Sequence, residues 1–221
     1  MSETRWEQGR AQERAEGRGG YGAHFAQLIA DGADVEGEAR VADALVPRGA
    51  AILDAGSGMG RVGAALLRRG HRVVGVDLDP ELLAQSRGTF PDLPVVECRL
   101  DDLTPGRLAA AGHPTAYDLV VCVGNVMVLL APDTEHAVLG NLGALLAPEG
   151  RILVGFSLQG APAPVARSYA VDDFAADCAA VGLEVESRWS SYHLRPFTDG
   201  DDYAVHVLRR AERRSPAETR G

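Results

Sequence analysis

The sequence contains no lysine at all: its 22 basic residues are all arginine. Catalysis through a lysine amine, as an imine or as a nucleophile, is therefore excluded. Cysteine is scarce, with Cys98, Cys122 and Cys178 scattered along the chain, no CxxC pair and no histidine nearby at metal-ligand spacing. Buried, reduced thiols and no metal are the expectation. Long apolar runs are missing too. The longest, residues 119–130, is broken by Gly124 and Asn125 and falls short of the ~20 residues a membrane helix needs. The opening MSETRWEQGR lacks the apolar stretch of a secretion signal. A soluble, cytoplasmic protein is expected. Basic charge is also in deficit, with 22 arginines against 31 acids and a net charge of -9. Nucleic acids and anionic membranes need a basic footprint on their partner, so neither is expected to bind.

What is present suits one globular domain: 221 residues, 46% hydrophobic and 24% charged. Residues 1–20 are rich in Arg, Glu and Gly, with Trp6 the only large apolar group. They read as a flexible arm or as a lid that orders over a ligand. Residues 211–221 read as a charged tail, which leaves 21–210 as the folded body. Phe25, Leu28 and Ile29 suggest one helix, and the apolar spacing from Ala39 to Val46 a second, stopped by Pro47. Apolar runs without alternation follow at 51–53, 73–76, 94–96, 119–123 and 152–156, the pattern of strands buried on both faces. Helical patterns at 62–69, 80–87 and 134–146 lie between them. This alternation predicts a doubly wound, mostly parallel α/β sheet. After a helix at 171–180, two strands at 183–191 and 202–209 follow with no helix between them, which predicts an antiparallel C-terminal hairpin.

The strongest motif is LDAGSGMGRVG, residues 53–63, where a strand pattern runs into glycines and then a helix. Glycines allow positive φ and close approach of a ligand to the backbone. A second strand ends in VVGVDLDPELL, which places Asp77 at a carboxyl end, 23 residues after Asp54. A carboxylate there can accept both vicinal hydroxyls of a ribose. Two cofactors fit this layout. Gly58, Gly60 and Gly63 match a dinucleotide fingerprint, which would make the protein an NAD(P)-dependent oxidoreductase. Asp54 ahead of Gly56 instead favours a ligand carrying an amino group, such as S-adenosylmethionine.

These two motifs, with YDLVVCVGNVMVLLAP, LLAPEGRILVGF and DYAVHVLRR further on, resemble the class I S-adenosylmethionine-dependent methyltransferases over about residues 20–210. The resemblance implies a seven-stranded sheet whose last strand is antiparallel. It implies that Asp54, Ala55, Gly56, Ser57, Gly58 and Gly60, followed by Arg61, hold the methionine portion of the cofactor. Asp77 would hold the ribose and Leu78 would pack on the adenine. Gly124 and Asn125 would lie beside the methyl donor, and Leu100 at the nucleoside end. One departure stands out. Where the family places an acid for the adenine amine, this chain has Arg99, which cannot accept a hydrogen bond. Asp101, two residues on, is the expected substitute. Asp79 reads as the cap of the helix opening at Pro80.

For the reaction itself, displacement at a sulfonium methyl mainly needs positioning. Asn125 is the candidate to orient an acceptor, and His24 the candidate base. Tyr21 and Phe25, on the N-terminal helix, would line the pocket of a small-molecule acceptor. Glu38 reads either as a helix-dipole residue or as part of the site, and Tyr192 and His193 as outlying candidates. His71 and His136 read as solvated, His206 as core or surface. A cofactor-binding protein without catalysis is the remaining alternative.

Overall fold

The computed structural model describes residues 2–17, 21–160 and 165–212, with Tyr21 and His24 described in the backbone only. Its centre is a seven-stranded sheet of order β3-β2-β1-β4-β5-β7-β6. The strands are β1 (Ala51–Ala55), β2 (Arg72–Asp77), β3 (Val95–Glu97), β4 (Tyr117–Cys122), β5 (Leu146–Ser157), β6 (Leu183–Trp189) and β7 (Tyr203–Arg210). Only β7 runs antiparallel to its neighbours, β5 and β6. The order reverses between β1 and β4, which opens a crevice at the carboxyl ends of the strands.

Neighbouring strand residues point to opposite faces, and both faces are covered. Leu53, Val74, Val120, Cys122 and Val154 pack on one side with helices α7 (Glu135–Ala144) and α8 (Val171–Ala180). Ile52, Val73, Val121 and Leu153 pack on the other with α3 (Gly37–Ala44) and α4 (Arg61–Arg68). This double burial is why the strand sequences are continuously apolar. The three cysteines are buried and unpaired. No helix among the described residues is long and apolar enough to cross a membrane.

The structure departs from the sequence reading in four places. First, residues Arg5–Ala15 form a helix, α1, where an arm was one expectation. Its signal is a capping box: the Thr4 hydroxyl accepts from the Glu7 amide at 3.1 Å, and the Glu7 carboxylate accepts from the Thr4 amide at 2.7 Å. Second, α6 (Pro105–Ala110) was not anticipated, although Thr104-Pro105 is a cap followed by proline at the first helical position. Third, β5 begins at Leu146 and passes through Pro148. The β4–β5 register jumps from Tyr117↔Leu146 to Leu119↔Arg151, so the proline falls in a bulge where its missing N–H costs no ladder bond. Fourth, His71 is buried rather than solvated, with Nε2 2.9 Å from Asp43 Oδ1.

His136 is an exposed side chain on α7, paired with Asp177. His206 is in the core, stacked on Phe156 and tilted against Phe174 at ring centroid distances of 5.5 and 4.7 Å.

Candidate functional site

The turn after β1 is built by three glycines with positive φ, namely Gly56 (83°), Gly58 (53°) and Gly60 (86°). The Gly56 and Ser57 amides donate to Val76 O at 2.8 and 3.0 Å and tie the turn to β2. A Cβ on Gly56 would lie 2.4 Å from Val126, and one on Gly60 2.4 Å from the Ser86 hydroxyl. Side chains are thus excluded by both backbone and space.

Asp54 lies behind this turn, 2% exposed, and accepts from the Gly63 amide at 2.8 Å. Burial pushes its carboxyl up to about 7, against the Gly63 bond and the Arg61 charge. It lines only a minor cavity, together with Ser57 and Met59. Its Oδ2 is thus engaged with the first turn of α4, and the cavity it borders shares Gly56, Arg61 and Gly124 with the main one. Ala55 and Gly60 line neither cavity.

Asp77 occupies the expected place. Its Oδ2 accepts from the Gly58 amide at 2.8 Å and its Oδ1 from the Asp79 amide at 2.9 Å. Those bonds orient the carboxylate at the wall of the main cavity. Burial raises the Asp77 carboxyl above the usual range, and the two amides oppose this. Asp79 caps α5 (Pro80–Thr89), accepting from the Glu81 and Leu82 amides at 2.9 and 3.3 Å.

The main cavity measures about 520 Å³, a size suited to a nucleoside cofactor together with a small molecule. Gly56, Gly58, Asp77, Leu78, Leu100 and Asp101 line it, together with Gly124, Asn125 and Val126. Most of the expected cofactor residues are therefore gathered here. Asn125 sits in the left-handed region (φ 73°), and its Oδ1 accepts from the Ser157 amide at 2.8 Å. The side-chain carbonyl is thus committed to β5, and no acceptor for Nδ2 is found among the described residues.

At the α4 end of the turn, Arg61 also lines the cavity. It donates to Glu38 through both terminal nitrogens at 2.9 and 2.7 Å, and to the Val35 carbonyl. Its guanidinium lies 4.6 Å from the ring centre of Phe25, on α2 (Tyr21–Ala30). Phe25 and Glu38 are therefore cavity residues. Tyr192 does not line the cavity but bonds, oxygen to oxygen at 3.1 Å, to Tyr203, which does. His193 is exposed. The side chains of Tyr21 and His24 lie outside the described part of the structure.

Of the two sequence readings of residues 1–20, the described part takes the position of a lid, although its helical form and its contacts were not read from the sequence. Trp6, Gly9, Arg10 and Glu13 of α1 line the cavity, as do Leu129 and Leu130 of the loop after β4. The amides of Arg5 and Trp6 donate to Leu130 O and Leu129 O at 3.3 and 3.0 Å. Trp6 Nε1 donates to Asp79 Oδ2 at 3.0 Å. Helix α1 therefore spans from the loop after β4 to the start of α5.

A methyltransferase-domain family model matches residues 53–152, the stretch from the glycine turn into β5. The TehB-like SAM-dependent methyltransferase of Corynebacterium glutamicum, a solved structure, is 37% identical, superposes with a TM-score of 0.76 and aligns over 86% of this chain and 96% of its own. The chain belongs to the class I S-adenosylmethionine-dependent methyltransferase family. Uncharacterized methyltransferases of Mycobacterium tuberculosis and Mycobacterium bovis are 35% identical over 113 residues, 51% of this chain. The chain spans about half the length of these curated relatives, 53% of each. The 1,6-didemethyltoxoflavin-N1-methyltransferase of Burkholderia thailandensis, 24% identical with a TM-score of 0.57 over 86% of this chain and 87% of its own, shares the fold. The dinucleotide reading of Gly58, Gly60 and Gly63 is set aside.

Proposed function

We propose that this methyltransferase binds S-adenosylmethionine across the carboxyl ends of β1, β2 and β4 and methylates a small molecule held in the rest of the cavity. The observation that carries this reading is Asp77, a carboxylate fixed by two main-chain amides at the cavity wall, beside a turn with no room for a side chain at Gly56 or Gly60. A ribose with two free hydroxyls suits such an acceptor. Leu78 and Leu100 offer apolar contact to a purine, and Asp101 an acceptor for its amine. The turn from Gly56 to Gly58 and Arg61 face the amino-acid end, with Asp54 bracing them from behind.

When bound, the cofactor supplies a methyl group on a positively charged sulfur, a good leaving group. The chain therefore has to orient the partner more than activate it. Asn125 is suited to this task. Its carbonyl is pinned by the Ser157 amide, so Nδ2 can donate to a lone-pair atom of the acceptor. Glu38 is occupied by Arg61 and makes a poor base. Phe25, Val126 and Tyr203 give the acceptor space a largely apolar wall, which supports a small molecule over a polymer. His24 is the remaining candidate base, and Tyr21 a further wall residue. In this reading α1 is a lid, and release of the products requires it to lift.

The test is incubation of the protein with a metabolite extract and S-adenosylmethionine labelled with deuterium in the methyl group. Small molecules heavier by the labelled methyl, absent with an Asp77→Ala variant, are expected. Label that appears only on protein or nucleic acid, or nowhere, would contradict the proposal.

A further inference from the structure

Arg99 stands where the resemblance places an acid, and the geometry gives it a task. Arg99 and Asp101 leave the same short connection between β3 and α6, and both line the main cavity. Arg99 Nε and Nη2 donate to Asp101 Oδ1 and Oδ2 at 3.0 and 2.8 Å, a two-pronged pair with side chains only 16% and 14% exposed. The turn beneath is fixed separately. Asn141 Nδ2, from α7, donates to the main-chain oxygens of Leu100 and Asp101, both at 3.0 Å. Arg99 is therefore not needed to form the turn; what its fork sets is the direction of the Asp101 carboxylate. The remaining prong, Nη1, reaches Glu7 of α1 at 3.4 Å.

We propose that Arg99 is a positioning residue that holds the Asp101 carboxylate where it accepts a hydrogen bond from the exocyclic amine of a bound adenine. The inference rests on the cofactor reading above. A guanidinium fork occupies one lone pair on each carboxylate oxygen and leaves the others available. Arginine, with donors only, cannot take the amine itself. The acidic surroundings give the fork a second use: Asp102 adjoins Asp101 in sequence and Glu7 faces the pair from α1, so an unpaired Asp101 would meet like charge and turn away. The positive charge of Arg99 offsets both neighbours and joins the purine-reading loop to the roof.

The experiment is calorimetry with S-adenosylhomocysteine and with its analogue carrying purine in place of adenine, which lacks the amine. Wild-type protein should prefer the adenine compound about tenfold or more, as expected for a hydrogen bond to a charged acceptor. Arg99→Gln should cut that preference to threefold or less, mainly by weakening the adenine compound, while the purine analogue binds within about twofold of wild type. Arg99→Lys, which restores charge but not the fork, should recover part of it. A preference undiminished in Arg99→Gln would overturn the positioning role alone. Equal binding of the two ligands by wild-type protein would overturn Asp101 as the reader of the amine, and this inference with it. Wild-type protein that binds neither ligand would overturn the cofactor reading itself.

Discussion

Replacing His206 with phenylalanine should stabilise the protein, and more in mild acid than at neutral pH. The imidazole is fully buried, and neither ring nitrogen has a hydrogen-bond partner among the described residues. It lies against Phe156 and Phe174, an aromatic setting that a phenyl ring of similar shape can share. Leaving buried polar atoms unpaired costs about 1–3 kcal/mol, which the substitution removes. Burial, assisted by the nearby Arg188 charge, lowers the folded-state value from 6.5 to about 3. Between those limits the unfolded chain binds the extra proton, so stability falls as pH falls. From pH 7.5 to pH 5 this one group should cost about 2 kcal/mol. Asp54 tilts the opposite way, because its carboxyl is raised to about 7 and the stability it contributes is lost as pH rises toward that value. The slope of the wild-type protein alone is therefore uninformative. The readout is the difference between wild type and His206→Phe in urea melts at the two pH values. A difference that widens by about 2 kcal/mol at pH 5 fits the reasoning. Parallel behaviour, or a variant less stable at both pH values, would refute it.

Three other outcomes follow from the geometry. Gly56→Ala places a Cβ 2.4 Å from Val126 at φ 83°; backbone strain alone costs about 1–2 kcal/mol, so both thermal stability and S-adenosylhomocysteine affinity should drop. Asp54→Asn keeps an acceptor for the Gly63 amide, so the variant should fold and bind ligand, while the loss of stability between about pH 4 and 7 due to the buried acid disappears in urea melts. Trp6→Phe removes the indole bond to Asp79 and should speed S-adenosylhomocysteine release in stopped-flow measurements by a few-fold, a loss of about 1 kcal/mol; an unchanged rate would mean that α1 is no lid.

The sheet was legible because strands buried on both faces carry a strong continuous signal, from Ile52 and Leu53 through Val120 and Val121. The glycine turn and Asp77 were legible because chemistry restricts residue type there. The orientation of Asp54 was not. Sequence places an acid beside the turn, but whether its carboxylate points to the cavity or back to the Gly63 amide depends on how α4 packs. The helical form of the lid stayed hidden for a different reason. Helix α1 buries none of its residues among the described positions, so no apolar periodicity announces it, and only the Thr4–Glu7 capping box marks its start. Its hold on the body comes from Trp6 to Asp79 and Arg10 to Glu81, long-range pairs that no local pattern encodes. Arg99 looked like a misfit at its position, and only its distances to Asp101 and Glu7 give it a role.

The central claim is that Asp77 and the glycine turn hold the nucleoside of S-adenosylmethionine, and calorimetry with S-adenosylhomocysteine tests it most directly. Wild-type protein should bind, NAD at the same concentration should not, and Asp77→Ala should weaken binding by about 1.5–3 kcal/mol, roughly 10- to 150-fold. S-adenosylhomocysteine binding unaffected by Asp77→Ala, or NAD binding as tightly, would contradict the account.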